Sequence, residues 1–360
     1  MKKLSIAVLL LAVLLTGCIS ASGQRDYQQY TYEIPGVFDT VVQVIIYAEN
    51  EKQAQGYVQV AQERFGELHC LYDKYNSYPG LNNIKTINDN AGLKPVEVAE
   101  EIIDLILFAK EWYEKTGHKV NIALGPVINI WHDYRQQGSI NPEKAQLPSR
   151  EELEKASTYT DLNKVIVDER NKTVFLQEKG MNLDLGAVAK GYATEIVARE
   201  LEVQGATSMI ISSGGNVKLI GKPLTRNKNK WGVAIQNPLL NDGKTQNDPL
   251  DIVFSTDTSL VTSGDYNRYY QVDGEIYHHI IDPSTLMPAN HYRAVTVMVK
   301  DSGIADFMST TLFLLPFDES WTLASEIPGL EALWVFPDGH LEATPGMKGV
   351  MKGLGGATAQ

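Results

Sequence analysis

The sequence predicts an α+β fold: a single large domain on a mixed sheet, behind an export signal and a short tether. Three observations carry that expectation. Strand-like and helix-like runs mingle without the regular βαβ alternation of a doubly wound sheet. Several β-rich runs are joined by Gly-Gly or Asp-Gly turns, as in "SMIISSGGNVKLIG" and "YYQVDGEIY". No linker-like stretch divides the chain after residue 30. With 43% hydrophobic residues, 360 residues hold ample material for a core.

The N-terminus sets the compartment. "MKKLSIAVLLLAVLLTGC" has two lysines, an apolar run from Leu4 to Leu15, then Thr16-Gly17-Cys18. The run is short for a membrane span and reads as a secretory signal. Its end resembles a bacterial lipobox, which implies removal of residues 1–17, lipid on Cys18, and residues 18–30 as a tether. The expected location is outside the cytoplasm, anchored to a membrane through that lipid. Cys70 is then the only other thiol, so no intramolecular disulfide forms, and it reads as a small buried apolar residue. The net charge of −12, with scattered Lys and Arg, argues against a nucleic-acid partner.

Along the chain, "VVQVIIY" (41–47) is β-rich and "EKQAQGYVQVAQERFGELHCLYDKY" has a helical pattern. Residues 76–95 are Asn-, Gly- and Pro-rich and predict a loop. "VEVAEEIIDLILFAKEWYEKTG" predicts an amphipathic helix stopped at Gly117, and 135–148 a polar connection. Ser149 and Glu152 fit a capping box opening a short helix. "KVIVDERNKTVFLQ" reads as a hairpin, and "MNLDLGAVAKGYATEIVARELEVQG" as a strand end, a turn and a helix closed by Gly205. The interval 222–250 is loop-like apart from "WGVAIQ". From 252 to 283 the chain reads as β-rich, with Asp273-Gly274 as a hairpin turn. A strand "AVTVMVK", a helix in 303–316 and a "WVFPDGHLEA" hairpin follow. Residues 31–345 thus make the domain, and 346–360 a flexible tail.

Familiar sites are absent. There is no Cys-x-x-Cys, His-Glu-x-x-His or strand-following Gly-x-Gly-x-x-Gly. "GNVKLIGKP" imitates a phosphate-binding loop, but its spacing is wrong and Pro223 stands where a hydroxyl is needed. Chemistry concentrates elsewhere. In the oily helix "GIADFMSTTLFLLP", Asp306 and Thr310 are spaced i, i+4 and share one face. A carboxylate and a hydroxyl suit Mg²⁺, which fills its shell with water, carbonyls and phosphates. They also fit a plain helix-start carboxylate and a Thr bonded to its own backbone. "NLDLGAVAKGYA" (182–193) sets Asp184, Lys190 and small residues at the start of a helix, where phosphate is favoured. The same pattern fits tight helix–sheet packing. "TSGDYNRYY" and "YHHIIDPSTLMPA" group Ser263, Asp265, His278, His279 and Asp282 around one hairpin.

These segments, "NLDLGAVAKGYATE", "SSGGNV", "TSGDYNRYYQVDGEIYHHIIDPST" and "ADFMSTTLF", resemble in this order the signature segments of the ApbE family of FAD:protein FMN transferases. "GPVINIW" (125–131) resembles another, and the likeness runs from about residue 36 to 340. The resemblance implies an ApbE-like fold and Mg²⁺-dependent cleavage of FAD. FMN passes to a Thr or Ser hydroxyl of an acceptor flavoprotein, expected to belong to a membrane redox complex, and AMP is released. It implies Asp306 and Thr310 as metal ligands with the Ala187 carbonyl. Asp184 and Lys190 would touch FAD, and Tyr75 would meet the isoalloxazine. Asn121, Ile122 and Ala123 would line the flavin site, with Ser263, His279 and Ile281 bordering it. The family often has Asp where this chain has Asn121. Its usual Met-Gly-Thr is here Phe38-Asp39-Thr40, so Phe38 takes the place of a flavin contact. Its common "DPRTG" is here Asp282-Pro283-Ser284-Thr285-Leu286, without the Arg and the Gly.

Transfer needs a base beside the acceptor hydroxyl, for which His279 is the first candidate and Asp265 the second. Two other functions share these residues. Water as the nucleophile would make the protein an FAD pyrophosphatase yielding FMN and AMP. A non-catalytic flavin-binding lipoprotein would use the aromatic loops but not Asp306 and Thr310.

Overall fold

The computed structural model describes residues 27–238 and 248–355. Cys18, the signal segment and the last five residues lie outside them. The chain opens with a hairpin, β1 (Gln28–Val37) and β2 (Thr40–Ala48), so a paired strand occupies the end of the expected tether. The two-residue turn Phe38-Asp39 has φ of 51° and 54°, the left-handed pair that matches strand twist. α1 (Glu51–Tyr72) starts where Asn50 Oδ1 accepts from the Gln53 N–H at 3.0 Å, and buries Ala54, Val58, Ala61, Phe65 and Leu68 along one stripe.

The expected loop 76–95 contains a helix, α2 (Ile84–Asp89). Asn83 and Thr86 form a capping box there, but six residues are too few to show a hydrophobic period. β3 (Val96–Glu97) precedes α3 (Glu100–Lys115), which ends before Gly117 at φ 73°. α4 (Gly125–Ile140) starts in "GPVINIW" and runs into the expected 135–148 connection. α5 (Arg150–Ser157) carries the predicted Ser149–Glu152 box. The hairpin β4 (Val165–Asp168) and β5 (Thr173–Leu176) pairs with β3.

The second half supplies α6 (Ala189–Val203), then β6 (Ser208–Ser213) and β7 (Asn216–Gly221). β8 (Trp231–Ile235), β9 (Asp251–Ser255) and β10 (Ser259–Gly264) follow. The ribbon of β11 (Tyr269–Val272) and β12 (Glu275–His278) turns at Asp273-Gly274, as expected. β13 (Ala294–Val299), α7 (Ser302–Leu314), α8 (Phe317–Glu326), β14 (Glu331–Val335), β15 (Leu341–Ala343) and α9 (Pro345–Lys348) complete the order.

The main sheet has the order β1-β2-β6-β7-β10-β13-β14-β15. The α+β class holds. Every strand pairing among the described residues is antiparallel, however, so the sheet is not mixed. The short turns of β1–β2, β6–β7 and β14–β15 impose this on their own pairs, since a short turn can only return the chain antiparallel. The other neighbours meet in the same sense through longer connections. α1, α6 and α7 share the principal core with this sheet through Phe65, Val197, Phe307 and Leu312. In a second cluster, Trp231, Val253, Met347 and Met351 pack with Leu219, Leu260 and Leu333. The described first part of the expected tail is anchored: Met347 and Met351 are fully buried, and the Phe254 N–H donates to the Val350 carbonyl. A third cluster joins α4, α5 and the β11–β12 ribbon through Val127, Trp131, Leu153 and Tyr270. No helix among the described residues is long and apolar enough to cross a membrane.

Candidate active site

Two helices starting side by side build the floor of the site. α6 has no side-chain cap of its own. Asp306, one turn into α7, supplies the missing acceptor: its Oδ2 takes the Gly191 N–H at 2.8 Å. α6 reciprocates, since Glu195 Oε2 accepts the N–H of Ser302, the first residue of α7, at 2.8 Å. Lys218 holds that same oxygen at 2.8 Å. The helices approach this closely because residue 191 has no side chain. A Cβ there would stand 2.3 Å from the Ser302 carbonyl oxygen and 2.4 Å from Asp306 Cβ. Gly191→Ala should therefore cost about 1–3 kcal/mol of stability, read as a lower urea midpoint at unchanged slope.

Above this floor lies a cavity of ≈ 700 Å³, within the range of small-molecule sites. Asp306, Thr310, Ala187, Lys190 and Asp184 line it together, although they come from distant parts of the sequence. Asp306 is 5% exposed, and burial raises its carboxyl pKa despite Lys190, the Gly191 N–H and the Asn216 side chain. Ser263 Oγ lies 3.1 Å from Thr310 Oγ1 and 2.8 Å from Ser309 Oγ, so the hydroxyls form a chain beside the carboxylate. Lys190 Nζ reaches the Gly186 carbonyl at 3.4 Å.

The loop after α1 brings the aromatic wall. Asp73 accepts from the backbone N–H of Tyr75 at 2.6 Å and Asn76 at 3.1 Å, and from the Tyr78 hydroxyl at 2.8 Å. Tyr75 is thereby turned outward, 54% exposed, with its ring 5.8 Å from that of His132. Lys74, which sequence reasoning missed, points inward. Its Nζ meets Asp184 Oδ2 at 2.5 Å and Asn129 Oδ1 at 2.7 Å, and lies 5.0 Å from the Tyr75 ring centre. Burial works to raise the Asp184 carboxyl, but Lys74 and the Gly186 N–H outweigh it and hold it below the usual range. Only the fold could reveal this pair, because it joins residues 110 apart in sequence.

The remaining expected residues divide. Phe38, Asn121, Ile122, Ser263, His279 and Ile281 line the cavity. Ala123 does not; it is fully buried, and its N–H donates to Asn121 Oδ1 at 2.8 Å. His279 Nδ1 is buried without a partner, and burial followed by the Arg268 charge lowers its pKa to about 3. The ring is thus neutral at pH 7, with a nitrogen free of partners but a low affinity for a proton. Its neighbour His278 is structural, with Nε2 2.5 Å from the Ala289 carbonyl. Asp265 lies outside the cavity lining, and its carboxylate is 2.9 Å from Arg293 Nε in an ion pair. Burial raises its pKa to about 6 against that pairing, and the geometry gives it no access to a reacting hydroxyl.

The departures from the ApbE pattern have visible consequences. Asp39 and Leu286, where the family has glycine, sit at φ 54° and 64°. That region favours glycine. Leu286 is kept there by burial of its side chain and by its carbonyl, which accepts the Trp131 indole N–H at 2.8 Å. At the position of the missing Arg, Ser284 instead meets Lys119 Nζ at 3.1 Å.

The donor set fits a hard divalent cation. No cluster of three His, Cys, Asp or Glu exists among the described residues. One carboxylate, one hydroxyl and a carbonyl match Mg²⁺, which retains water ligands. A buried carboxylate whose pKa stays raised despite Lys190, beside an unpartnered Asn216 Oδ1, is a cradle that a further positive charge would suit.

Comparison with known proteins agrees with this architecture. Residues 38–334 match the model of the ApbE family. The FAD:protein FMN transferase of Treponema pallidum is 30% identical, covering 94% of this chain and 92% of its own length. That of Klebsiella pneumoniae is 33% identical, over 71% of this chain and 75% of its own. The crystal structure of the ApbE protein from Thermotoga maritima superposes with a TM-score of 0.76 at 28% identity, covering 89% of this chain and 98% of its own. From these matches and the order of its site segments, the chain belongs to the ApbE family.

Proposed function

We propose that this protein is an FAD:protein FMN transferase that places FMN on a Thr or Ser hydroxyl of an exported acceptor flavoprotein and releases AMP. The observation that carries the reading is the meeting of Asp306, Thr310, Lys190, Tyr75 and His279 around one cavity. Held by Asp306, Thr310 and the Ala187 carbonyl, Mg²⁺ would neutralise diphosphate charge as the P–O bond breaks. The protein's own part is positioning. Tyr75 presents its ring to the flavin, and Lys190 and the start of α6 face the phosphates. The acceptor oxygen bonds to the FMN phosphorus, AMP leaves with the electron pair of the broken P–O bond, and His279 takes the hydroxyl proton.

His279→Ala should lower transfer by about 10²–10⁴-fold with FAD affinity unchanged, the range for loss of a general base. Single-turnover transfer beside an FAD titration checks it, and an unaltered rate removes His279 from the chemistry. AMP release that needs an acceptor distinguishes the transferase from the pyrophosphatase. AMP formed at the same rate without acceptor would favour the latter.

The signal segment supports an exported lipoprotein, tethered to a membrane through Cys18. Cys18→Ser should move the protein from the membrane to the soluble fraction of cells, and unchanged fractionation would refute the anchor.

A further inference from the structure

Asn216 has no role in the steps above. It opens β7 directly after the Gly214-Gly215 turn, whose φ angles are 55° and 100°. Pairing with Ser213 on β6 and Val261 on β10 holds its backbone in the sheet. The residue is 2% exposed and lines the cavity beside Asp306. Its amide adjoins the Asp306 carboxylate and favours the charged form of that group, while its Oδ1 has no partner. Turning the amide over would set its oxygen against the carboxylate, two acceptors face to face. The orientation is therefore fixed by Asp306, and the free oxygen points to a missing donor.

A buried amide oxygen without a donor is costly, so one has to arrive with the ligand. Two donors at the start of α6 are already committed, the Gly191 N–H to Asp306 and the Thr194 hydroxyl to the Lys190 carbonyl, and Lys190 Nζ does not reach this oxygen. Mg²⁺ sheds its waters reluctantly, and such waters are strong donors. Resting on the metal site proposed above, we propose that Asn216 is a positioning residue for the cation. Its N–H fixes the Asp306 carboxylate, and its Oδ1 accepts a hydrogen bond from a water in the cation's coordination shell.

Mg²⁺ binding to the purified protein without flavin, followed by calorimetry, tests this. Asn216→Ala should weaken Mg²⁺ binding about 10–100-fold, the usual effect of losing an outer-shell partner. FMN affinity in EDTA should stay within about twofold of wild type, an allowance for ordinary context effects. Asn216→Ser, which still donates and accepts, should recover part of the loss. If the Ala variant does not fold, the Ser variant decides: weaker Mg²⁺ binding with normal FMN affinity supports the assignment, and wild-type Mg²⁺ affinity overturns it. Unchanged Mg²⁺ affinity in a folded Ala variant overturns it as well. Loss of FMN affinity in EDTA at normal Mg²⁺ affinity also does so, by giving the free oxygen to a flavin hydroxyl. Absence of Mg²⁺ binding by the wild type would instead remove the metal site itself, and this assignment with it.

Discussion

Asp306→Asn is expected to slow FMN transfer at least about 10³-fold while leaving the fold in place. The amide keeps the shape of the carboxylate, and its oxygen still accepts the Gly191 N–H that starts α6. What disappears is the negative charge that holds a cation against the diphosphate. Cation stabilisation of transferring phosphoryl groups is worth several kcal/mol, and each 1.4 kcal/mol is tenfold in rate. Stability should change by no more than about 1 kcal/mol, because the variant gives up a charge that burial already disfavours. Transfer rate and urea midpoint, measured together, separate the two roles of this residue. A normal rate would reduce Asp306 to a helix cap, and an unfolded variant would show that the cap cannot do without the charge.

Lys74→Met should destabilise the protein by about 3–5 kcal/mol, the cost of stranding one member of a buried ion pair. The Lys74 and Asp184 side chains are only 10% and 12% exposed. Without the ammonium, Asp184 must keep an unpaired charge or take up a proton. The effect depends on pH in a definite sense. The folded pKa of Asp184 is lowered, so its contribution is complete above the unfolded value of about 4 and fades as pH falls through the folded one. The folded pKa of Lys74 is raised, so its contribution is complete below about 10.4 and is lost as pH rises through the folded value. Burial raises the pKa of the unpaired Asp184 in the variant, so proton uptake relieves part of its loss as pH falls. The difference between wild type and variant should be largest at neutral to mildly alkaline pH and shrink steadily toward about pH 2. Urea unfolding at pH 7 and pH 3 measures it. A difference below about 1 kcal/mol at pH 7 would assign the pair no more than a surface bridge's worth.

Much of this site could be read from the chain because its pieces are local. Asp306 and Thr310 are one turn apart, and Asp184, Ala187 and Lys190 fall within seven residues at one helix start. The relations between pieces could not be read that way. Asp306 caps α6 across 115 residues, and Lys74 meets Asp184 across 110. No spacing in the sequence reports such a contact. Asn216 stood in plain view in "SSGGNV", but the glycines drew the reading toward a turn, and only burial shows its unpaired oxygen. Asp265 misled for the converse reason: its neighbours in sequence are site residues, while its carboxylate turns to Arg293. In the fold, the long helices and the Asp-Gly and Gly-Gly hairpins carried clear signals. α2 was too short for a period, and a Gly-rich composition hid the anchoring role of Met347 and Met351.

The most direct test of the account follows an acceptor by intact mass. The purified protein is incubated with FAD, Mg²⁺ and a peptide carrying a threonine after small residues, with AMP assayed in parallel and Asp306→Ala as control. The account predicts that the peptide gains one FMN, that AMP appears in equal amount, and that the variant produces neither. AMP with no flavin on any acceptor tried, or equal labelling by the Asp306→Ala variant, would contradict it.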